Sequence, residues 1–460
     1  MKDYRQYSFW LETAGDDLTP RPALEGSIDV DVAILGAGYT GLWTAYYLLQ
    51  RDPSLKVAVL EREIAGFGAS GRNGGWCSAG FPVSHDLLEE RYGRDATRSV
   101  YLAMCDAVDE VGRVCTAEGI DAHYHKGGAL RIARGTHQLP AIDGAEATYS
   151  RLGLDGHCVR LDAGETNARV RVAGALGSVF LPDCARIHPG RLVRGLARAV
   201  ERRGATIYEQ THVTRYETGR SPRLITPRGE ARARTIVLAG EAYLTRLPPL
   251  HRQLIPVYSL ITLSEPLSAQ QWEYIGWRNQ ECISSHRLTV DYLSRTADGR
   301  ILFGSRGAPY AWDSTITDAQ DRHGPTHRMI REMFMEWFPS LHGINFTHAW
   351  GGPVGMPRDW MPTMSYDARE GVATSRGYTG QGVATTNLAG RVLTDLITGK
   401  QSELTTLPMV GHRSPDWEPE PLRWLAVRYM QWSFLRLDAR AERTGRAPSG
   451  RTLAERLGRH

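Results

Sequence analysis

The fold is decided by the stretch Ile28-Asp29-Val30-Asp31-Val32-Ala33-Ile34-Leu35-Gly36-Ala37-Gly38-Tyr39-Thr40-Gly41. Its first eight residues form an apolar run rich in β-branched side chains, which predicts a buried strand. The glycines are followed by an apolar segment, residues 42–49, that suits a buried helix, and residues 57–61 predict a second strand. Strand, glycine turn, helix and strand in this order form a βαβ unit.

The glycine pattern itself is G-x-G-x-x-G, and each glycine has a separate task. Gly36 permits a tight turn off the strand, Gly38 lets the backbone approach a pyrophosphate, and Gly41 lets the helix lie against the sheet. Glu61 follows about 20 residues later, where a carboxylate can accept hydrogen bonds from ribose hydroxyls. The alternative is a glycine turn without a ligand. The predicted nucleotide contacts are Gly36, Gly38, Tyr39, Thr40, Gly41, Glu61 and Arg62.

A second loop of small residues, 65–75, comes directly after this acid. A nicotinamide would not require such a loop, whereas a flavin must thread its ribityl chain and ring past this region. An acid at position 61 also disfavours the 2′-phosphate of NADP. We therefore predict FAD, with a flexible surface loop as the alternative. The candidate contacts in this loop are Gly68, Ala69, Ser70, Arg72, Asn73, Gly74 and Gly75.

A third glycine loop, 377–382, lies between a strand-like segment, 371–375, and a helix predicted over 387–398. Backbone N–H groups at a helix N-terminus stabilise negative charge, such as that of a reduced flavin. An ordinary turn before a helix is the alternative. The remaining cofactor candidates are Gly380, Gln381, Gly382 and Val383, with Val213 and Gly240 from the middle of the chain.

Between these loops the sequence pattern changes from that of a βαβ unit. Residues 127–133, 257–263 and 300–304 have the turn-punctuated character of an antiparallel sheet. We therefore predict that the chain leaves and re-enters a nucleotide-binding domain. The predicted FAD-binding domain comprises residues 28–85, 180–243 and 345–400, the substrate domain 86–179 and 244–344, and a C-terminal helical extension 401–460.

The three loops, together with His188-Pro189-Gly190 and residues 239–243, resemble the D-amino acid oxidase superfamily of flavoproteins. Residues 68–75 are most similar to the γ-glutamylputrescine oxidase branch, and the resemblance covers residues 5–405. It implies a mixed α/β fold in which a Rossmann-like FAD-binding domain of the glutathione-reductase type is interleaved with an antiparallel-sheet substrate domain. FAD would lie extended, with its adenosine at Glu61 and its ring between the loops 68–76 and 377–382.

The resemblance also implies an activity, that of an FAD-dependent amine oxidase or dehydrogenase. A hydride would pass from the carbon next to an amine nitrogen to flavin N5, and the imine would hydrolyse in water. Oxygen or another acceptor would then take the electrons. Two alternatives remain open: a flavin-dependent hydroxy-acid dehydrogenase or natural-product tailoring oxidase, and a flavin-binding protein without catalysis.

Departures from the family pattern narrow the substrate. Family members that oxidise small α-amino acids carry W-x-G-x-R-P, with an arginine for the substrate carboxylate. Here the sequence is Trp350-Gly351-Gly352-Pro353-Val354, so valine stands at the arginine position. The substrate is predicted to be an amine or N-substituted amino compound larger than a simple α-amino acid. Candidate catalytic or wall residues are Tyr258, Arg306, Tyr310 and Trp350, with packing as the alternative role for each. Arg306 is the candidate for binding a remote carboxylate or phosphonate.

The rest of the sequence limits the partners, the location and the cofactors that can be expected. A net charge of +4 over 460 residues does not indicate a nucleic-acid partner. No run of 18 apolar residues predicts membrane insertion, so a cytoplasmic location is expected. The cysteines show no metal-ligand spacing, no metal is predicted, and loop 63–80 has no histidine for covalent flavin attachment. The helix predicted over 422–437 is expected to close over its own fold or a partner in a possible homodimer, with a membrane-surface helix as the alternative.

Overall fold

The strand that precedes the glycine pattern lies inside a parallel sheet in the computed structural model, which describes residues 2–458. The strands of this part of the chain are β1 Ile28–Leu35, β2 Val57–Leu60, β3 Trp76–Ser78, β4 Ala129–Arg134, β5 Val159–Asp162, β6 Ala175–Leu181, β7 Cys184–Arg186, β8 Thr206–Tyr208, β9 Arg215–Glu217, β10 Arg223–Thr226, β11 Gly229–Leu238, β12 Ile255–Ser264, β13 Cys282–Ser285, β14 Asp291–Arg295, β15 Ile301–Arg306, β16 Phe346–Met356, β17 Thr363–Asp367 and β18 Val372–Arg376. The helices are α1 Phe9–Glu12, α2 Tyr39–Arg51, α3 His85–Tyr92, α4 Arg94–Ala117, α5 Leu139–Arg151, α6 Ala163–Arg169, α7 Pro189–Arg202, α8 Ala269–Ile275, α9 Asp318–Asp321, α10 Gly324–Trp337, α11 Gly382–Thr398, α12 Leu422–Thr444 and α13 Leu453–Leu457.

The first sheet runs in the order β17-β18-β11-β1-β2-β8, and the strands from β18 to β8 are parallel. Because both faces of a parallel sheet are covered, β1 is buried on both sides. Val32 and Ile34 belong to one apolar cluster with residues of α2, α7 and α11, whereas Ala33 belongs to a cluster on the other face. The predicted Rossmann-like unit is confirmed.

The second sheet runs in the order β16-β12-β15-β14-β13-β4-β6-β5. It is antiparallel apart from the pair β13 and β4, which is parallel. A long excursion of the chain separates these two strands, and such a crossover permits parallel pairing. The predicted substrate sheet is thus a mixed one.

Strand β16 crosses a boundary drawn from the sequence. Residues 345–400 were assigned to the FAD-binding domain, yet Phe346–Met356 pairs along its length with β12 in the second sheet, with Val354 opposite Val257. Because of this pairing, the Trp350-Gly351-Gly352-Pro353 segment belongs to the sheet that faces the first domain. Helix α11 begins at Gly382, five residues before the predicted start, and α12 extends the predicted 422–437 helix to Thr444.

Within residues 2–458, no helix is long and apolar enough to cross a membrane.

Candidate flavin site

A cavity of about 460 Å³ lies where the first sheet meets the second. It extends from Glu61 at the end of β2 to the loop before α11, and Pro353 and Val354 of β16 line it as well. The predicted cofactor residues in its lining are Gly36, Gly38, Tyr39, Thr40, Glu61, Arg62, Gly68, Ala69, Ser70, Asn73, Val213, Gly240, Gly380, Gly382 and Val383. Gly41, Arg72, Gly74, Gly75 and Gln381 lie outside this lining.

The turn between β1 and α2 has little room for side chains. A Cβ atom at Gly36 would lie 2.8 Å from the Ala239 carbonyl oxygen, and one at Gly41 would lie 2.0 Å from the Gly36 carbonyl oxygen. Gly36 also has a φ of 101°, which disfavours other residues. Both glycines are therefore required by packing, and the N-terminus of α2 faces the cavity at Gly38.

Glu61 presents a carboxylate to the same end of the cavity. Its oxygens accept hydrogen bonds from the backbone N–H groups of Ala37 and Glu63, each at 2.9 Å. Burial raises the pKa of Glu61 to about 7, although these two N–H groups oppose the shift. A half-buried acceptor that faces the cavity and has capacity for further donors fits the ribose hydroxyls of a dinucleotide.

The loop 68–75 joins the two domains through Arg72. The Arg72 guanidinium is buried, pairs with Asp321 of α9 at 2.6 Å, and donates to the Tyr243 hydroxyl at 2.6 Å. It also donates to the Gly351 carbonyl oxygen of β16 at 3.2 Å. Arg72 therefore positions this loop against the second sheet, outside the cavity lining.

Glu241 holds the opposite loop and was not among the predicted site residues. Its carboxylate accepts hydrogen bonds from the N–H groups of Gly355, Gly377 and Tyr378, at 3.2, 2.8 and 3.3 Å. Burial raises its pKa to about 7. The carboxylate thus fastens the third glycine loop to β16. The available signal in the sequence was an acid directly after the small residues that follow β11.

Helix α11 directs its first turn at the cavity, where Gly382 and Val383 form part of the lining. The first N–H groups of a helix have no partner inside the helix and carry partial positive charge. Two helix N-termini, those of α2 and α11, therefore meet one elongated cavity. Such an arrangement fits a ligand with negative charge at two separated places, as in FAD.

Three of the four predicted wall residues make packing contacts. The Tyr258 hydroxyl accepts from the Thr317 N–H at 3.1 Å, and its ring is buried in the core beside the second sheet. Tyr310 bonds to Ser314 and packs against Trp417 of the C-terminal extension. The Trp350 indole donates to the Arg72 carbonyl oxygen at 2.9 Å, which helps to position the loop. Their predicted substrate contacts stay a prediction.

Arg306, the fourth, lies beside the third glycine loop. One of its nitrogens donates to the Thr379 carbonyl oxygen at 2.8 Å, and the guanidinium lies 6.0 Å from the Trp360 ring centroid. No carboxylate within residues 2–458 forms an ion pair with it, and burial lowers its pKa. Arg306 is therefore a half-buried cation to which the described part of the chain offers no counter-ion.

Tyr292 is a neighbour that sequence reasoning missed. Its ring occupies the space that a Cβ at Gly74 would need, only 2.4 Å away, and its hydroxyl bonds to Ser259 at 2.8 Å. It also lies close enough to Arg306 for the two to interact electrostatically. A tyrosine in the middle of a short strand carries no local signal, because only the pairing of β14 with β15 brings it to this place.

A group of three side chains elsewhere consists of residue types that bind metal ions. Cys105, His157 and Asp183 place one potential ligand atom each within 4.8 Å of one another. His157 Nδ1 already lies 2.5 Å from the Asp183 carboxylate, and Lys126 Nζ lies 3.5 Å from it. Protein groups therefore balance the charge of Asp183, and the absence of a metal stays a prediction.

Comparison with known proteins assigns the chain to a family. The family described as DAO, FAD dependent oxidoreductase, matches residues 31–396. Gamma-glutamylputrescine oxidoreductase of Escherichia coli is 28% identical over 407 residues, which cover 88% of this chain and 92% of the relative. A probable oxidoreductase of Rhizobium meliloti, OrdL, is 30% identical over 400 residues, covering 86% and 90%.

Solved structures share the fold. Glycine oxidase from Geobacillus kaustophilus superposes with a TM-score of 0.67 at 19% identity, covering 84% of this chain and 99% of its own. L-amino acid deaminase from Proteus vulgaris gives a TM-score of 0.68 at 19% identity, covering 89% and 100%. The resemblance inferred from the glycine loops is confirmed, and the chain belongs to the DAO family of FAD-dependent oxidoreductases.

Proposed function

We propose that this oxidoreductase holds FAD without a covalent bond and acts on an amine that carries an anionic group away from the reacting carbon. Bound FAD supplies the acceptor for a hydride from the carbon next to the nitrogen. The observation that carries the substrate proposal is Arg306, a half-buried cation beside the Thr379-Gly380 loop that pairs with no carboxylate of residues 2–458.

The described residues fit FAD along the whole cavity. Glu61 would accept from the ribose, the N-terminus of α2 would meet the pyrophosphate, and the N-terminus of α11 would meet the flavin pyrimidine ring. Position 38 favours glycine, because a Cβ there would lie only 3.0 Å from Ser70 Oγ, and this residue lines the cavity. Non-covalent binding is supported by the lack of histidine in residues 63–80 and of cysteine between Asn345 and Asn387.

Two relatives support an amine as the substrate. The Escherichia coli relative is named for γ-glutamylputrescine, an amine, and another, 21% identical, is a glycine oxidase. Val354, at the position where family members that oxidise small amino acids carry arginine, lines the cavity and offers no charge. Arg306 supplies a cation from β15, a different strand from that of Val354. A substrate carboxylate would therefore bind at Arg306 and not at the position that Val354 occupies.

Arg306 is suited to an anion for a physical reason. A buried guanidinium without a counter-ion is costly, and a carboxylate that pairs with it regains much of that cost through charge-assisted hydrogen bonds. Tyr292 and Trp360 are half-buried neighbours of this guanidinium, and an amine that packs against them would lose contact with water, which favours its neutral form, the form that can release a hydride. Positioning and desolvation are the tasks of this chain's residues.

The test compares pairs of amines of equal length, with and without a terminal carboxylate, by the rate at which each bleaches the flavin absorbance under anaerobic conditions. The carboxylated amine is expected to react with the lower KM. Arg306→Met should raise that KM by roughly 10 to 100-fold, the worth of about 1.5–3 kcal/mol for a charged hydrogen bond, and leave the uncharged amine unaffected.

Two controls make the result specific. Arg306→Lys keeps the charge and should recover part of the loss, while Arg295→Met removes an arginine stacked on Trp272 and should change nothing. Bleaching by hydroxy acids but by no amine would contradict the proposal. Equal KM values for both amines in the wild-type enzyme would contradict the role of Arg306.

A further inference from the structure

Helix α12 is fixed to the protein along one side. The Asp438 carboxylate accepts from the N–H groups of Leu288 and Thr289 at 3.0 and 2.9 Å. Nearer the helix N-terminus, the Gln431 amide donates to the Ala308 carbonyl oxygen at 3.1 Å, and the buried Arg423 donates to the Asp313 carboxylate at 3.1 Å. These contacts lie on loops of the second sheet, so the orientation of α12 is defined.

The opposite side of α12 exposes large apolar side chains. Leu422, Leu425, Tyr429 and Trp432 have spacings of three and four residues, which places them on one face. Their exposed fractions are 59%, 54%, 40% and 50%. Trp312, itself half exposed, lies beside α12 with its ring 6.2 Å from that of Trp424. Contiguous exposed apolar surface of this kind marks an interaction site.

The same face continues as a row of cations. Arg436, Arg440 and Arg443 follow Trp432 at helical spacing and are exposed, and the Arg436 guanidinium lies 4.0 Å from the Trp432 ring. Residues 422–460 contain nine arginines against three acids, whereas the whole chain carries only +4. The positive charge of the protein is therefore concentrated here, and the remainder is slightly acidic.

We propose that the α12 face, formed by Leu422, Leu425, Tyr429, Trp432 and the three arginines that follow, binds the surface of an anionic phospholipid bilayer. Apolar and aromatic side chains would enter the interface, and the arginines would meet lipid phosphates. The helix stays on the surface, since its other side is attached to the protein. A second copy fits less well, because a two-fold pairing of this face would bring arginines against arginines.

The experiment is co-sedimentation of the FAD-loaded enzyme with vesicles. Phosphatidylcholine vesicles containing 30% phosphatidylglycerol, about a third of the lipid as in strongly anionic membranes, should pellet the protein, and pure phosphatidylcholine vesicles should not. Raising the salt from about 0.1 to about 1 M should weaken binding, because the Debye length falls to a third. Leu425→Glu with Trp432→Glu, and separately Arg436→Glu with Arg440→Glu, should each reduce the bound fraction at least tenfold.

A matched control and a fold readout keep the test decisive. Tyr274→Glu changes an equally exposed aromatic residue on α8 and should bind vesicles like the wild type. Flavin absorbance of each variant reports that the fold is retained. A wild-type protein that stays in the supernatant with anionic vesicles overturns the proposal. So does a dimer in light scattering that Trp432→Glu dissociates, because the face then belongs to a second copy.

Discussion

The two ends of the flavin cavity each contain a half-buried glutamate whose pKa is raised to about 7 by desolvation, but the two ends are assembled differently. Glu61 accepts from Ala37 and Glu63, within one βαβ unit of consecutive sequence. Glu241 accepts from Gly355, Gly377 and Tyr378, more than a hundred residues away. The first end is a local motif, whereas the second depends on the docking of the two sheets.

Replacing each glutamate by alanine should separate the two ends most strongly. Glu241→Ala leaves three backbone donors without their acceptor, at about 1–3 kcal/mol each for a buried group. We expect the free energy of unfolding of the apoprotein to fall by about 3–6 kcal/mol. Glu61→Ala removes two bonds within one βαβ unit and no contact between the sheets, so it should cost less stability but more FAD affinity.

Urea denaturation of the apoproteins and fluorescence titration with FAD provide the two measurements. A larger loss of stability in Glu61→Ala than in Glu241→Ala would break the comparison. It would mean that the local motif, and not the contact between the sheets, holds the cavity together.

The ion pair between Arg72 and Asp321 tests the docking of the sheets directly. Arg72→Met leaves the Asp321 carboxylate buried without its partner, and burial already raises the pKa of Asp321 to about 6. We expect a loss of about 3 kcal/mol, as for other broken buried pairs.

Adding Asp321→Asn to Arg72→Met should recover more than about 1 kcal/mol, since the neutral amide no longer needs the cation. A full double-mutant cycle in urea measures this coupling. Additive effects of the two changes would show that Arg72 acts through its bonds to Tyr243 and Gly351 alone.

The smallest expected effect is a pH dependence that both ends share. The folded-state pKa values of Glu61 and Glu241 are about 7, above the ordinary 4.5. Between these values the folded protein retains protons that the unfolded chain has released. The free energy of unfolding that these two groups contribute is therefore present below pH 4.5 and is lost as the pH rises to 7.

Urea denaturation of the apoprotein at pH 5 and pH 7.5, about half a unit inside the lower end of this window and about half a unit above its upper end, measures the effect. Glu61→Gln and Glu241→Gln should each flatten part of the slope, because an amide does not titrate. An unchanged slope in the double variant would assign the pH dependence to other groups.

The cavity was predicted from sequence unevenly. Most of the predicted contacts from Gly36 to Asn73 line it, because a strand, a turn and a helix that follow one another can be inferred from adjacent residues. The wall residues were harder to predict from the sequence. Tyr258 and Trp350 lie on the expected strands, but their hydroxyl and indole groups bond to Thr317 and Arg72. Tyr292, which does lie against the loop 68–75, was not among the predicted site residues.

The wall residues were harder to predict because side chains alternate between the two faces of a strand. Successive side chains point to opposite faces, so the face that meets the cavity depends on register and on which strands are neighbours. Strand β16 shows this clearly: its pairing with β12 puts Val354 in the cavity lining, although its sequence alone placed it with the first domain.

The sequence by itself determined the family, the cofactor and the nucleotide end of the site, because Gly36, Gly41 and Glu61 act through backbone geometry within one βαβ unit. It also located Val354, where the usual arginine is missing. Only the tertiary structure decided that Glu241 anchors the third glycine loop, that Arg306 has no counter-ion among residues 2–458, and that one face of α12 is left exposed. Each of these three features depends on which segments, distant in sequence, lie against one another. The hydrophobic packing of the two sheets determines that arrangement.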